Sequence, residues 1–424
     1  MRVLFISTYF PTNLRTDVVG VYKRMKMLID AIKEVAQIDM LFYVSPKDVD
    51  ISLLEVSEIE RSFFQHWSTK INLFLCPKFI PDGSIPQWQQ ATIGIFDFFK
   101  QSSYSGTTSG VKQIQAFEEC LSRKPDAIFV HRLQSMCPVM LTRKTLPPIF
   151  FDLDDIEHIA FLRKISQPPR KLKTSLYYLL IPALCWGERR AISLAHQTFV
   201  CSKQDRSYLT KRWRLPGVVT VPNAITIPEP QPVTSEPTLL LLGGYDYYPN
   251  VNAANFLTEL VWPRIYRAMP EARLIIAGKE PSNIRSYQVG VPGVEFTGFV
   301  DDLDALYQRS RIVCCPIFSG GGTRVKMIEA AAYGKPIVAT RIGAEGIEMS
   351  DGREFLLRDE PELFAEACLH LLSNPVLCEQ LGTAARTAVI KHYNRADIVK
   401  LIQQIIFNGT KNVGMQRHFS QSIN

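Results

Sequence analysis

The segment Phe318–Thr340 gathers the residues best suited to chemistry: Gly320, Gly321 and Gly322, then Thr323, Arg324, Lys326 and Glu329. An apolar run, Arg311–Pro316, precedes the glycines, and a helical pattern, Met327–Tyr333, follows them. Glycines at such a junction allow the backbone to approach a ligand closely. They also bare N–H groups at a helix start, where the helix dipole favours phosphate. Arg324 and Lys326 add two formal charges beside that end. Lys326 and Glu329 stand three apart and share a helix face. A diphosphate at Lys326 leaves Glu329, one turn deeper, to accept hydrogen bonds from sugar hydroxyls. The simpler alternative is a solvated Lys326–Glu329 pair. It needs no glycine triplet, and Lys before Glu is the weaker order for such a pair.

A second concentration lies in Phe151–His158, where Asp152, Asp154, Asp155, Glu157 and His158 fall within seven residues. So many acids directly after a buried strand mark a site rather than a random surface. Asp-rich strand ends hold Mg²⁺ in other proteins. His131 and Arg132 close the preceding apolar run and are candidates for the same edge.

The elements that must position these residues are short apolar runs alternating with helical patterns. Seven candidate strands run from Val3–Ser7 to Val218–Val221, and six more from Thr238–Leu242 to Phe355–Leu357. Between the first two strands, Val21, Met25, Leu28, Ile29, Ile32 and Val35 recur at helical spacing. Repeated strand–helix–strand units imply parallel sheets with helices on both faces. Ile227–Pro237 holds four prolines in eleven residues, which neither a strand nor a helix interior tolerates. The fold class is therefore α/β, with two Rossmann-like doubly wound domains and a site in the cleft between them. The expected divisions are 1–232 and 233–395, a terminal helix 396–407 packing back on the first domain, and a frayed polar tail 408–424.

Composition excludes more than it assigns. A net charge of +7 from 48 basic and 41 acidic residues is too small a bias to imply nucleic acid. Nine scattered cysteines without a C-x-x-C pair argue against a disulfide framework or a zinc site. Met1–Phe10 reads as a buried strand, not a signal peptide. No apolar stretch is long enough to span a bilayer. A cytoplasmic protein, peripheral at most on the inner membrane face, is the expectation.

These residues carry a family resemblance. Phe318–Thr340 is similar to the donor-binding signature of the family 4 retaining glycosyltransferases, also called glycosyl transferases group 1, which have the GT-B fold. Gly243–Asn252 resembles the first strand–loop of their donor domain. Ala277–Lys279 and Thr297–Asp302 resemble the strand ends that frame the nucleotide base, and Thr340–Ile347 the segment after the signature strand. Two departures are visible. The family often has Glu-x7-Glu, and the first of those positions here is Gly321. Many members also use Arg and Lys in the first donor-domain loop, and Gly243–Asn252 has neither. The likeness is to a subgroup with Gly-Gly-Thr-Arg-x-Lys, in which Arg324 and Lys326 supply the phosphate charges.

The resemblance implies a retaining hexosyltransferase-type enzyme of polysaccharide biosynthesis, acting from a nucleotide diphosphate-sugar on a glycan or lipid-linked glycan without a metal. Donor residues would be Gly243, Gly244, Gly278, Val300, Gly320, Gly321, Gly322, Thr323 and Glu329, with Asn250 and Tyr245 facing the cleft. Arg324, Lys326 and Asp154 would be catalytic. The first domain would bind the acceptor through Gly20, His131, Asp152 and His158, with Arg15, Thr16 and Arg24 as further candidates. Asp152–Asp154 falls where many members have Thr-x-His, so an acid would replace that histidine and either hydrogen-bond the sugar or accept from the acceptor hydroxyl. Ser202, Asp205 and Asn223 are expected to cap helices and form turns. Arg163, Lys164, Arg170, Lys171 and Lys173 precede the aromatic run Leu176–Trp186 without an intervening acid. That pattern suits an anionic membrane surface over 163–186 or, equally, an ordinary packed helix. Two other functions stay open: a non-catalytic nucleotide- or lipid-binding partner in a glycan-assembly complex, and a GT-B sugar-nucleotide epimerase.

Overall fold

The computed structural model describes residues 1–11, 14, 20–46, 55–78, 108–167, 176–230 and 234–421. Arg15, Thr16, Arg170, Lys171 and Lys173 lie outside the described residues. The chain forms two compact units, Met1–Val221 with Val399–Asn424, and Pro222–Ile398.

The first unit holds a seven-stranded sheet in the order β3-β2-β1-β4-β5-β6-β7, and every pairing is parallel. Its strands are β1 (Arg2–Ser7), β2 (Gln37–Val44), β3 (Ile71–Pro77), β4 (Ala127–His131), β5 (Ile149–Asp154), β6 (Gln197–Val200) and β7 (Val218–Thr220). Continuous apolar runs such as Val3–Ile6 and Ala127–Val130 are buried on both faces, as crossover helices require. The helix Gly20–Lys33 packs Met25, Leu28, Ile29 and Ile32 inward, and Arg24 is buried with them.

The second unit holds a six-stranded parallel sheet in the order β10-β9-β8-β11-β12-β13. Its strands are β8 (Thr238–Leu242), β9 (Arg273–Ala277), β10 (Val294–Gly298), β11 (Ile312–Cys315), β12 (Ile337–Ala339) and β13 (Leu356–Leu357). Met327, Ile328, Ala330 and Ala331 anchor the helix Val325–Ala332 in the core. Each large side chain so buried contributes about 1.5–3 kcal/mol.

In each sheet the winding reverses once, at β1/β4 and at β8/β11. Helices leave on opposite faces at such a point and open a crevice beyond the strand C-termini, where α/β proteins bind ligands.

Two chain boundaries differ from the sequence expectation. The second unit starts at Pro222, upstream of the proline run, because Asn223 donates to Thr323 (2.9 Å) and Ile225 bridges Asn394. The last helix does not end at Phe407 but runs Arg395–Gln421, so the tail is helical over most of its length. Ile402, Ile406 and Gly409 form its buried stripe. Gly409 sits so near Phe150 that a Cβ would lie 2.8 Å from the ring.

Candidate functional site

At the β8/β11 edge, glycines are required by the packing of three strand ends. Gly278 has φ 141°, and a Cβ there would fall 1.6 Å from the Gly243 carbonyl oxygen. Gly278 N–H donates to Gly298 (2.7 Å) and Gly243 N–H to Ala277 (3.0 Å), which ties β8, β9 and β10 together at their ends. Gly244 accepts from the Asn250 amide nitrogen (2.8 Å). The amide oxygen of Asn250 then accepts from Lys326 Nζ at 2.8 Å. Asn250 therefore links the first loop to the cation of the signature helix.

The loop after β11 bends through Gly320 (φ 101°) and Gly322 (φ 63°) before the helix Val325–Ala332 begins. Arg324 turns back onto this loop. Its Nη1 donates to the carbonyls of Gly321 and Gly322, and its Nη2 to Ser319 (3.3 Å). Its Nε is buried and has no hydrogen-bond partner among the described residues. Arg324 thus braces the loop with the donors expected to face phosphate. Lys326 is half-buried and carries a full charge against a neutral amide. Burial is the main force lowering its pKa from the ordinary lysine value; Arg324 lowers it further, while Cys315 and Glu329 oppose. A cation kept in a poorly solvated place against a neutral partner gains most from an arriving anion.

Glu329 lies one turn below Lys326 and is 7% exposed. Thr323 is buried, and the Asn223 amide donates to its hydroxyl, which ties Asn223 to the glycine loop. Val300 is half-buried against the core. Tyr245, expected to face a ligand, is a core residue at 1% exposure with its hydroxyl on the Leu241 carbonyl (3.2 Å).

At the β1/β4 edge, Ser7 and His131 are register partners, and Ser7 Oγ lies 2.9 Å from His131 Nδ1. His131 is fully buried, and its Nε2 has no hydrogen-bond partner among the described residues, standing 3.9 Å from Asp152 Oδ2. Burial, with Arg132 and Arg24 nearby, holds His131 neutral, with a pKa lowered to about 3 against the pull of Asp154. Arg24 grips Asp152 through Nε (3.0 and 2.9 Å) and Nη2. Its Nη1 donates to the Val221 carbonyl (3.0 Å), and its Nε lies 3.4 Å from Asp154 Oδ1. Burial pushes Asp152 up to about 6 despite Arg24. Burial also pushes Asp154 upward, but Arg24, Arg132, His131 and the Cys201 thiol together hold it below the ordinary value.

Not every predicted residue joins this edge. His158 is structural: its Nδ1 meets Glu188, its Nε2 meets the Tyr208 hydroxyl (2.9 Å), and its ring stacks on Trp213. Both ring nitrogens are committed, which removes it from the acceptor side. Gly20 opens its helix at the surface. Ser202 caps Lys203–Ser207 by accepting from Asp205 N–H (3.0 Å), as expected. Among the described residues, no group of three or more His, Cys, Asp or Glu is placed to hold a metal ion. Sequence reasoning underrated Arg24, although a basic residue four before Leu28 on an apolar face signals a buried acid. Ser7 was legible only through its register with His131.

Residues 236–374 match the family model described as Glycosyl transferases group 1. A phosphatidyl-myo-inositol mannosyltransferase of Mycobacterium leprae is 26% identical over 229 residues, covering 48% of this chain and 59% of that protein. The chain thus aligns with under two thirds of that relative's length. A D-inositol 3-phosphate glycosyltransferase of Corynebacterium diphtheriae is 34% identical over 87 residues, 20% of each chain. Among solved structures, sucrose-phosphate synthase of Thermosynechococcus elongatus superposes with a TM-score of 0.67 at 17% identity, covering 96% of this chain and 98% of its own. HepE of Anabaena, solved with UDP and glucose, gives 0.60 at 13% identity over 95% and 98% of the two chains. Both units therefore have the Rossmann-like parallel-sheet architecture of the GT-B glycosyltransferases, and the stretch 236–374 is similar to glycosyl transferases group 1.

Proposed function

We propose that this protein transfers a hexosyl group from a nucleotide diphosphate-sugar to a hydroxyl of a glycan or lipid-linked glycan, with retention of anomeric configuration. The observation that carries the reading is Lys326, a half-buried ammonium held by a neutral amide over a glycine loop at the β8/β11 reversal. Lys326 and the loop N–H groups stabilise the departing diphosphate, with no metal assigned to that task. Arg324 keeps the loop in shape, and Glu329 accepts from donor hydroxyls. The acceptor belongs to the first unit, at the edge carrying Asp154 and Asp152. Retention is supported by the likeness of Gly320–Glu329 to the retaining family, and a UDP-sugar by the ligands of HepE.

Thermal unfolding of the full chain with UDP, GDP or dTDP tests the donor assignment. At least one is expected to raise the midpoint, and stabilisation by none of them overturns it.

An anionic membrane surface is the proposed site of action, on the cytoplasmic side. Leu162 and Lys164 are exposed on the helix Glu157–Ile165, and Trp186, Arg189 and Arg190 on the helix Ile181–Leu194, with Tyr178 and Leu179 exposed just before it. Of the acids of these helices, Glu188 is buried on His158 and Glu157 pairs with Arg132. Apolar and basic groups together suit anionic lipid. Among the described residues, no helix is long and apolar enough to cross a bilayer. Nine cysteines without disulfides suit a reducing compartment. Sedimentation with phosphatidylglycerol vesicles but not phosphatidylcholine vesicles is the expected result; equal partitioning counts against the surface.

A further inference from the structure

We infer that Arg24 is a positioning residue: it keeps Asp152 as a buried carboxylate and holds Asp154 at the end of β5 to accept a hydrogen bond from the substrate hydroxyl. The inference rests on the sugar-transfer reading above.

Exposure along the cluster is graded. The side chains of Arg24 and Asp152 are 1% and 0% exposed, that of Asp154 is 11%, and that of Arg132 is 28%. Asp154 is thus the acid a ligand can reach, and Asp152 stands behind it. Two neighbouring strand ends are strained, Arg132 with φ 70° and Asp154 with φ 61°. Non-glycine residues in that region cost about 1–3 kcal/mol and persist where surrounding contacts over-determine them. Here the contacts are evident. Arg24 Nε reaches Asp154 Oδ1, the Cys201 thiol donates to the same oxygen (3.3 Å), and Arg132 N–H donates to the Asp152 carbonyl (2.8 Å).

The charge balance explains why an arginine is needed. The groups bearing on the two acids come from the elements packed around them: Arg24 on the first helix, His131 and Arg132 at β4, Glu157 on the helix after β5, and Cys201 after β6. His131 is neutral, and the Cys201 thiol is held protonated by burial. Arg24 supplies the only wholly buried cation among these groups. Without it, two adjacent buried carboxylates cannot both ionise, and one takes a proton. Lysine retains the charge but lacks the fork that spans both acids.

The experiment follows hydrolysis of UDP-glucose, UDP-N-acetylglucosamine and GDP-mannose by the full chain, with water as acceptor, from about pH 5 to about pH 9. In Arg24→Met the acid limb of kcat is expected to move up by about one pH unit or more. Its kcat should fall roughly tenfold or more with donor KM unchanged, because the donor is held by the second unit. Arg24→Lys should restore most of the limb, and the isosteric Asp152→Asn should abolish it even where Arg24→Met fails to fold. If all three variants lower the rate equally at every pH, Arg24 is a structural ion pair and the inference is overturned. Wild-type protein that hydrolyses none of these donors and is stabilised by no nucleoside diphosphate defeats the sugar-transfer reading itself, and the inference falls with it.

Discussion

The two sheet edges solve opposite electrostatic problems. At β8/β11 a cation is left facing a neutral amide, Lys326 on Asn250. At β1/β4 the cation is consumed internally, Arg24 being locked onto Asp152 and close to Asp154. The first arrangement gains free energy from an arriving anion. The second gains none, and presents instead an oriented carboxylate suited to neutral hydroxyl groups. On the proposed function, the same strand–helix architecture would serve phosphate at one edge and hydroxyl groups at the other, according to whether its cation meets a neutral or an acidic partner.

The contrast is most sharply tested at Lys326. Lys326→Ala is expected to lower turnover by about 10²–10³-fold with little change in the unfolding midpoint, since oxyanion-type contacts act mainly in the transition state. Near-normal turnover would break the comparison on the phosphate side.

The second test uses pH. His131 is neutral in the fold, with a pKa of about 3, whereas an unfolded histidine titrates near the ordinary 6.5. The native state therefore binds fewer protons between those values, and stability should fall as pH drops below 6.5. The slope is about 1.4 kcal/mol per pH unit at most. Asp152, raised to about 6, acts in the opposite sense below that pH and flattens the loss. Urea midpoints across this range should show the fall, and His131→Asn should remove it; an unchanged slope in that variant assigns the acid sensitivity elsewhere.

The smallest effect is expected from Asn250→Asp. A carboxylate at that position converts the phosphate end into a copy of the hydroxyl end by giving Lys326 an acidic partner. Nucleoside diphosphate binding should weaken by roughly tenfold, about 1.4 kcal/mol, measured by calorimetry with UDP. Unchanged affinity would mean that the partner of Lys326 does not set its availability.

Much of the frame was legible because it depends on local chemistry. The apolar runs that mark Ala127–His131, Thr238–Leu242 and Arg273–Ala277 coincide with strands β4, β8 and β9, since strands buried on both faces need uninterrupted hydrophobic sequence. Gly320 was readable as a backbone requirement, and the structure supplies the reason in a φ of 101°; Gly278 stood out only through the resemblance, and its reason is a carbonyl 1.6 Å from a hypothetical Cβ. Partnerships across the fold were not legible. His158 looked like a member of the acidic cluster, yet its partners Glu188 and Tyr208 are 30 and 50 residues away. Tyr245 looked like a loop residue beside two glycines, yet it fills the core.

By itself the sequence determined the alternation of elements, the glycine–cation segment and the concentration of acids after β5. Those features follow from side-chain periodicity and from residue types confined to short stretches. Only the tertiary structure decided that Arg324 braces its own loop, that Lys326 is the charge left available, and that Arg24 joins Asp152 across 128 residues. The physical reason is that the free energy of a charge depends on its burial and its nearest partner, and both are set by which chain segments the fold brings together.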